Sequence, residues 1–214
     1  MVHVTGLRGA LRRQLDLSPI VVRAKDGEDY TFRPIEPDDA ASLIRGYDAM
    51  SDQAKWFRML HTAPHLTDEM AHRFCSPDRD RDLCIVIIGH GQLDGEILGG
   101  ARIAGEADGR CAEFSVSLRP EAQGLGLAYQ ALRIVLQAAK EMGYERVWGV
   151  IAVHNTAMLR LARRLGFTLC PDPDDVALID AEIDLVTLAS CDIPKSQNLS
   201  PKSHSPEENW SRQV

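Results

Sequence analysis

Between Ala112 and Leu118 the chain alternates in character: Phe114, Val116 and Leu118 fall on one side while Glu113, Ser115 and Ser117 fall on the other. That is the two-residue period of a strand. Soon afterwards the period changes. Leu125, Ala128, Leu132, Val135 and Ala139 recur at helical spacing, which predicts a long helix over about 124–142 whose apolar stripe faces a core. Upstream, Pro19 to Arg23 and Tyr30 to Arg33 flank Asp26-Gly27 and read as a hairpin. Pro37-Asp38-Asp39 then opens a helix, with proline at its first position and acids complementing its dipole. Helices are expected at about 37–49, 52–60, 68–75 and 155–165, and strands at about 83–89, 96–104, 111–118, 146–152, 167–170 and 177–185. The order predicts an α/β (α+β) fold, a mixed central sheet with helices on both faces.

The chain has 214 residues, of which 44% are hydrophobic, enough for one substantial core. No internal boundary suggests a second domain, so residues 1–18 read as an N-terminal segment, 19–188 as the domain and 189–214, polar and rich in Ser, Pro, Lys and Asn, as a disordered tail. Five cysteines are scattered without a C-x-x-C pair or zinc spacing, so they read as reduced and structural, with no metal site. There is no apolar run of signal-peptide or membrane-spanning length, which predicts a cytoplasmic protein that engages no membrane.

The net charge of −7 argues against nucleic-acid binding, and its distribution is informative. Residues 26–82 hold thirteen acids against seven bases, while residues 119–166 hold seven bases against three acids. A basic segment suits a phosphorylated cofactor and an acidic one suits a cationic substrate; ordinary solvated faces would give the same counts.

The candidate chemistry begins at Gln123-Gly124-Leu125-Gly126-Leu127-Ala128, between the alternating strand and the long helix. Two glycines let the backbone approach a ligand closely, and the first N–H groups of a helix point outward without internal partners. Such an N-terminus binds phosphate. Asn155, just before another helical pattern, has the position of a helix cap.

With Q-x-x-G-x-A at the start of the central helix and a second signature at Asn155-Thr156-Ala157-Met158-Leu159, ending in Gly166-Phe167, the chain resembles the GNAT superfamily of acetyl-CoA-dependent N-acetyltransferases. Phe32-Arg33-Pro34-Ile35, Trp56-Phe57-Arg58, Leu66-Thr67, Asp78-Arg79-Asp80-Arg81 and Ala112-Glu113-Phe114 add a closer similarity to the catalytic domain of bacterial Pat-type protein lysine acetyltransferases. Those enzymes modify acyl-CoA synthetases and often carry a regulatory domain, for which no segment is found here. The resemblance implies acetyl-CoA as donor and no metal. It implies that the strand at 111–118 splays from the one at 146–152, leaving a cleft for the pantetheine arm. Val116, Ser117 and Leu118, the Gln123 to Ala128 turn and Asn155 would hold the donor, with Ser115 and Ser117 lining the cleft.

Acetylating a lysine-like amine requires removing a proton from a group of pKa ~10.4, which places the free amine about 4.6 kcal/mol uphill at pH 7. Glu113 by itself reads as a surface carboxylate at a strand edge, but it occupies the place of the resembling enzymes' general base; Asp80 and Asp82 are the alternatives. The tyrosine that many GNAT enzymes place seven residues after the asparagine, to protonate the leaving thiolate, is replaced by Ala162. Thiols of pKa ~8.5 leave tolerably without it. Three functions fit: a protein lysine acetyltransferase, a small-amine acetyltransferase acting on polyamine- or aminoglycoside-like acceptors, and a noncatalytic acyl-CoA-binding module. An open groove over residues 26–82 would favour a protein acceptor and an enclosed pocket a small one.

Overall fold

The structure, a computed structural model, describes residues 17–59 and 65–186. Eight strands form one sheet: β1 (Ile20–Arg23), β2 (Asp29–Pro34), β3 (Asp82–Ile88), β4 (Ile97–Gly105), β5 (Cys111–Leu118), β6 (Arg146–Ala152), β7 (Thr168–Pro171) and β8 (Leu178–Asp184). The helices are α1 (Ala40–Asp48), α2 (Asp52–Met59), α3 (Asp68–Cys75), α4 (Leu127–Glu141) and α5 (Thr156–Leu165). The spatial strand order is β1-β2-β3-β4-β5-β6-β8-β7. Neighbours are antiparallel except β5 and β6, which run parallel. A parallel pair cannot be closed by a tight turn, and α4 supplies the crossover.

Strand β3 shows why there are helices on both faces. Leu83, Ile85 and Ile87 project into a core shared with Leu127, Leu132 and Val135 of α4 and Leu159 of α5. Val86 and Ile88, one residue out of phase, project into a second core with Tyr47 of α1 and Ala71 and Cys75 of α3. Both faces of this central strand are buried, so it reads as a continuous apolar run.

Two expected helices begin later than their hydrophobic pattern. The segment 37–49 is a 3-10 turn at Pro37–Asp39 followed by α1. There the Asp39 carboxylate folds back to accept from the Glu36 N–H at 2.8 Å and from Arg33 on β2 at 2.7 Å to each oxygen. The long helix starts at Leu127 rather than at Gly124, because Gly124 (φ +77°) and Gly126 (φ +88°) sit in the left-handed region that ends helical continuity. The four described cysteines, Cys75, Cys84, Cys111 and Cys170, are free thiols. Among the described residues no helix is long and apolar enough to cross a membrane. Cys191, the whole of the expected tail and residues 1–16 of the expected N-terminal segment lie outside the described residues.

Candidate active site

The sheet has a gap. The β4–β5 ladder runs from Gly99↔Leu118 to Gly105↔Ala112, but β5 meets β6 only at Cys111↔Arg146, Ala112↔Val147 and Glu113↔Trp148. Beyond Glu113 the two strands part. The physical wedge is Phe114, whose buried ring packs on Phe167 with centroids 4.9 Å apart and lies over Gly149 of β6. From Phe114 to Leu118, the main-chain groups on the β6 side have no ladder partner among the described residues. Unpaired strand groups require water or a ligand.

The gap leads to the glycine turn. Arg119 donates its N–H to the Leu98 carbonyl at 2.8 Å, a 3-10 turn follows at Pro120–Ala122, and the Gln123 side chain reaches back to the Leu118 carbonyl at 3.4 Å. The Gln130 N–H bonds to the Gly126 carbonyl at 3.3 Å, so the N–H groups of Leu127, Ala128 and Tyr129 precede the first such bond of α4. The first turn carries no acid. The helix end is therefore positive. Lys25, at the tip of the β1–β2 hairpin, adds to this: its N–H lies 3.4 Å from the Leu125 carbonyl, and its Cε is 3.7 Å from where a Cβ at residue 126 would be. The hairpin tip is braced by Arg23–Asp29 at 2.6 Å and by Tyr30, which donates to Asp26 at 2.8 Å. Burial and the Asp26 carboxylate push the Tyr30 phenol up to about 12, so it keeps its proton. A slot of unpaired strand groups ending at a positive, side-chain-free turn fits a pantetheine arm followed by phosphates.

The opposite face of the sheet carries the second half of the site. Register places Asp82, Ala104 and Glu113 in one cross-strand row, Cys84, Arg102 and Ser115 in the next, and Val86, Gly100 and Ser117 in a third. The second and third rows floor a cavity of about 100 Å³. Its walls come from Leu43, Tyr47 and Met50 at α1, Leu66, and Phe74 of α3, with Arg119 at the rim. Glu113, exposed, stands one row beyond this floor, about 7 Å along the strand by its two-residue rise. Ser115 and Ser117 thus line a cavity on the α1 face. Val116 and Leu118 pack their side chains on the α4 core, leaving backbone to face the gap.

Other candidates have prior commitments. Asp82 is ion-paired to Arg102 at 2.5 Å and accepts from the Gly105 N–H at 3.2 Å. Asp80 is exposed in the turn opened by Asp78, whose side chain accepts the Asp80 N–H at 3.1 Å. Asn155 is a cap: its Oδ1 accepts from the Met158 N–H at 3.1 Å. Ala162 is fully buried in the main core, so no acid acts from that position. Tyr129 lies beneath Arg164, 4.2 Å from the guanidinium carbon to the ring centre, with Arg133 at 5.7 Å. Sequence reasoning missed Lys25, Tyr47, Arg102 and Arg119. No local motif marks them, because each enters the site from a different element.

Residues 29–168 match the family described as acetyltransferase (GNAT) domain. The chain is 26% identical over 152 residues to "Acetyltransferase PA5475" of Pseudomonas aeruginosa, covering 70% of this chain and 81% of that protein. Among solved structures it is similar to the GNAT domain of S. lividans PAT, with a TM-score of 0.70 and 25% identity over 78% of this chain and 96% of that one. It shares its fold with spermidine N-acetyltransferase from Vibrio cholerae, solved with CoA and spermine, at a TM-score of 0.59 and 16% identity, covering 73% of this chain and 96% of that one. The chain belongs to the GNAT acetyltransferase family.

Proposed function

We propose that this GNAT enzyme transfers an acetyl group from acetyl-CoA to the side-chain amine of a protein lysine. The observation that carries the reading is the apolar cavity beside Glu113, whose walls suit the methylene stem of a lysine and whose floor includes β5, the strand that borders the gap to β6. The similarity to the S. lividans PAT domain, which covers nearly all of that domain, supports it.

The donor supplies a thioester carbonyl, and this chain's residues place it. The N–H groups after Gly126 bind the phosphates, with Gly124 and Gly126 leaving room for them. The free edge of β5 at Val116, Ser117 and Leu118 orients the arm. Glu113 accepts the proton that the acceptor ammonium sheds, directly or through water. The amine nitrogen then bonds to the acetyl carbon as the carbon–sulfur bond breaks, and the second proton that the nitrogen sheds to become an amide passes through water to the departing thiolate, which is released as the thiol. With alanine at residue 162, rate depends on alignment and on backbone polarisation of the carbonyl.

A second reading has one observation in its favour. The cavity is covered by α1 and α3 rather than forming an open groove, which suits a small amine. Labelled acetyl-CoA, offered a bacterial lysate in parallel with polyamines and aminoglycosides, separates the two. Label on protein lysines is expected; label only on small amines would overturn the lysine reading.

A further inference from the structure

The charged groups lining the acceptor cavity are Arg102 and Arg119, and none of its described lining residues is a carboxylate. Apart from Glu113, the acids Asp82, Glu96 and Glu121 near the cavity are already engaged by those arginines. Asp82 binds Arg102 at 2.5 Å, and Glu121 and Glu96 bind Arg119 at 3.1 and 3.6 Å. Glu96 also holds Arg45 of α1 at 3.1 Å. The Arg102 guanidinium stands 6.0 Å from the centre of the Phe74 ring, and the Nε atoms of both arginines are buried without a hydrogen-bond partner among the described residues.

We propose that this cavity is a charge filter on the acceptor: it admits a single amine on an unbranched apolar stem and turns away polycations of the spermidine type. The inference rests on the placement of the acceptor in this cavity under the proposed function. A lysine stem brings methylenes to apolar walls and one amine, which reaches the row of Glu113. Spermidine brings further ammonium groups that would be stripped of water between Tyr47, Met50 and Phe74, with guanidiniums nearby and no free carboxylate besides Glu113, which the reacting amine already meets. Part of the acidic surplus of residues 26–82 is likewise held by arginines. Its members include Asp29 on Arg23, Asp39 on Arg33 and Asp82 on Arg102.

The test is calorimetric titration of the full chain, saturated with CoA, with pentylamine as the lysine-stem probe and with spermidine. Pentylamine should bind about tenfold or more tightly than spermidine, a tenfold ratio being about 1.4 kcal/mol. Arg102→Gln removes one guanidinium and leaves the Asp82 carboxylate without its partner, so the ratio should narrow or reverse. Leu43→Glu places a carboxylate in the α1 wall without touching either ion pair and should shift the ratio the same way; melting curves confirm that the variants fold. Spermidine binding as tightly as pentylamine to the unmodified protein, no binding of pentylamine, or a ratio unmoved by both variants would each overturn the filter. Pentylamine binding with the expected preference, but no acetyl transfer to any lysine, would instead overturn the proposed function and leave the filter standing.

Discussion

A Cβ on Gly149 would lie 2.7 Å from Cε1 of Phe114 and 3.1 Å from the Phe114 carbonyl oxygen. The absence of a side chain on one strand and the ring on the other are therefore one device: Phe114 occupies the space through which β6 would otherwise continue alongside β5. Gly149→Ala should force the ring against Phe167 and cost about 1–3 kcal/mol of stability, as overpacking of a filled core does. Urea unfolding measures that loss. Calorimetry should show weaker acetyl-CoA binding in the same variant, since the gap is set by the displaced ring.

Gly126→Asp separates folding from donor binding. Aspartate is tolerated at a helix N-terminus and is among the side chains least averse to a left-handed backbone, so the variant should fold with nearly unchanged circular dichroism. Its carboxylate would stand where the donor's phosphates approach the start of α4. Titration with acetyl-CoA should detect no binding, and unchanged affinity would remove this turn from the donor site.

Glu113→Gln keeps the size of the side chain and most of its hydrogen bonding while removing basicity. We expect kcat to fall on the order of 10²–10⁴-fold with acetyl-CoA affinity retained. The deficit should shrink toward high pH, where more of the acceptor arrives deprotonated. A pH–rate profile of both proteins from pH 6 to 9 is the measurement. Parallel profiles of equal height would exclude Glu113 as the base.

The Arg33–Asp39 pair ties β2 to the start of α1. Burial raises the Asp39 carboxyl, but the Arg33 and Glu36 hydrogen bonds outweigh it and hold the group below its ordinary value of 3.8. A carboxyl lowered in the folded state contributes stability above its unfolded pKa and loses that contribution as pH falls through the folded value. Unfolding free energy should therefore decline below about pH 4 in the native protein, through a component that Asp39→Asn lacks. At neutral pH the variant should be less stable by roughly 2–4 kcal/mol, because the partly buried Arg33 guanidinium loses its partner. Equal stability at pH 7 would show that the pair anchors nothing.

The strand, turn and helix of the proposed donor half are written in consecutive residues and could be read directly. Alternation through Ala112 to Leu118, then Gly124 and Gly126, then a helical stripe, is local information. The start of α4 differs because the expectation counted the two left-handed glycines as helix, and Ser115 and Ser117, expected in the donor cleft, line the cavity on the α1 face. The acceptor half is different. Tyr47, Arg102 and Arg119 meet only because the register across β3, β4 and β5 sets one two-row floor beneath α1 and α3. Charge counts are indirect for a similar reason: of the acids of residues 26–82, Asp39 and Asp82 are ion-paired to arginines, one of them from beyond the segment counted. Composition records how many charges exist but not which are already neutralised.

A sheet interrupted at Glu113 is, thermodynamically, an unfinished one. A donor lying along β5 would act as a missing length of strand, so that folding and loading draw on the same free edge. Any ligand that binds only the folded form raises its stability, by about 2.7 kcal/mol when present at a hundred times its Kd. Resistance to unfolding and to proteolysis should then track how much acetyl-CoA and CoA a cell holds. A protein built in this way carries a record of metabolic supply in its own lifetime, independently of what it acetylates.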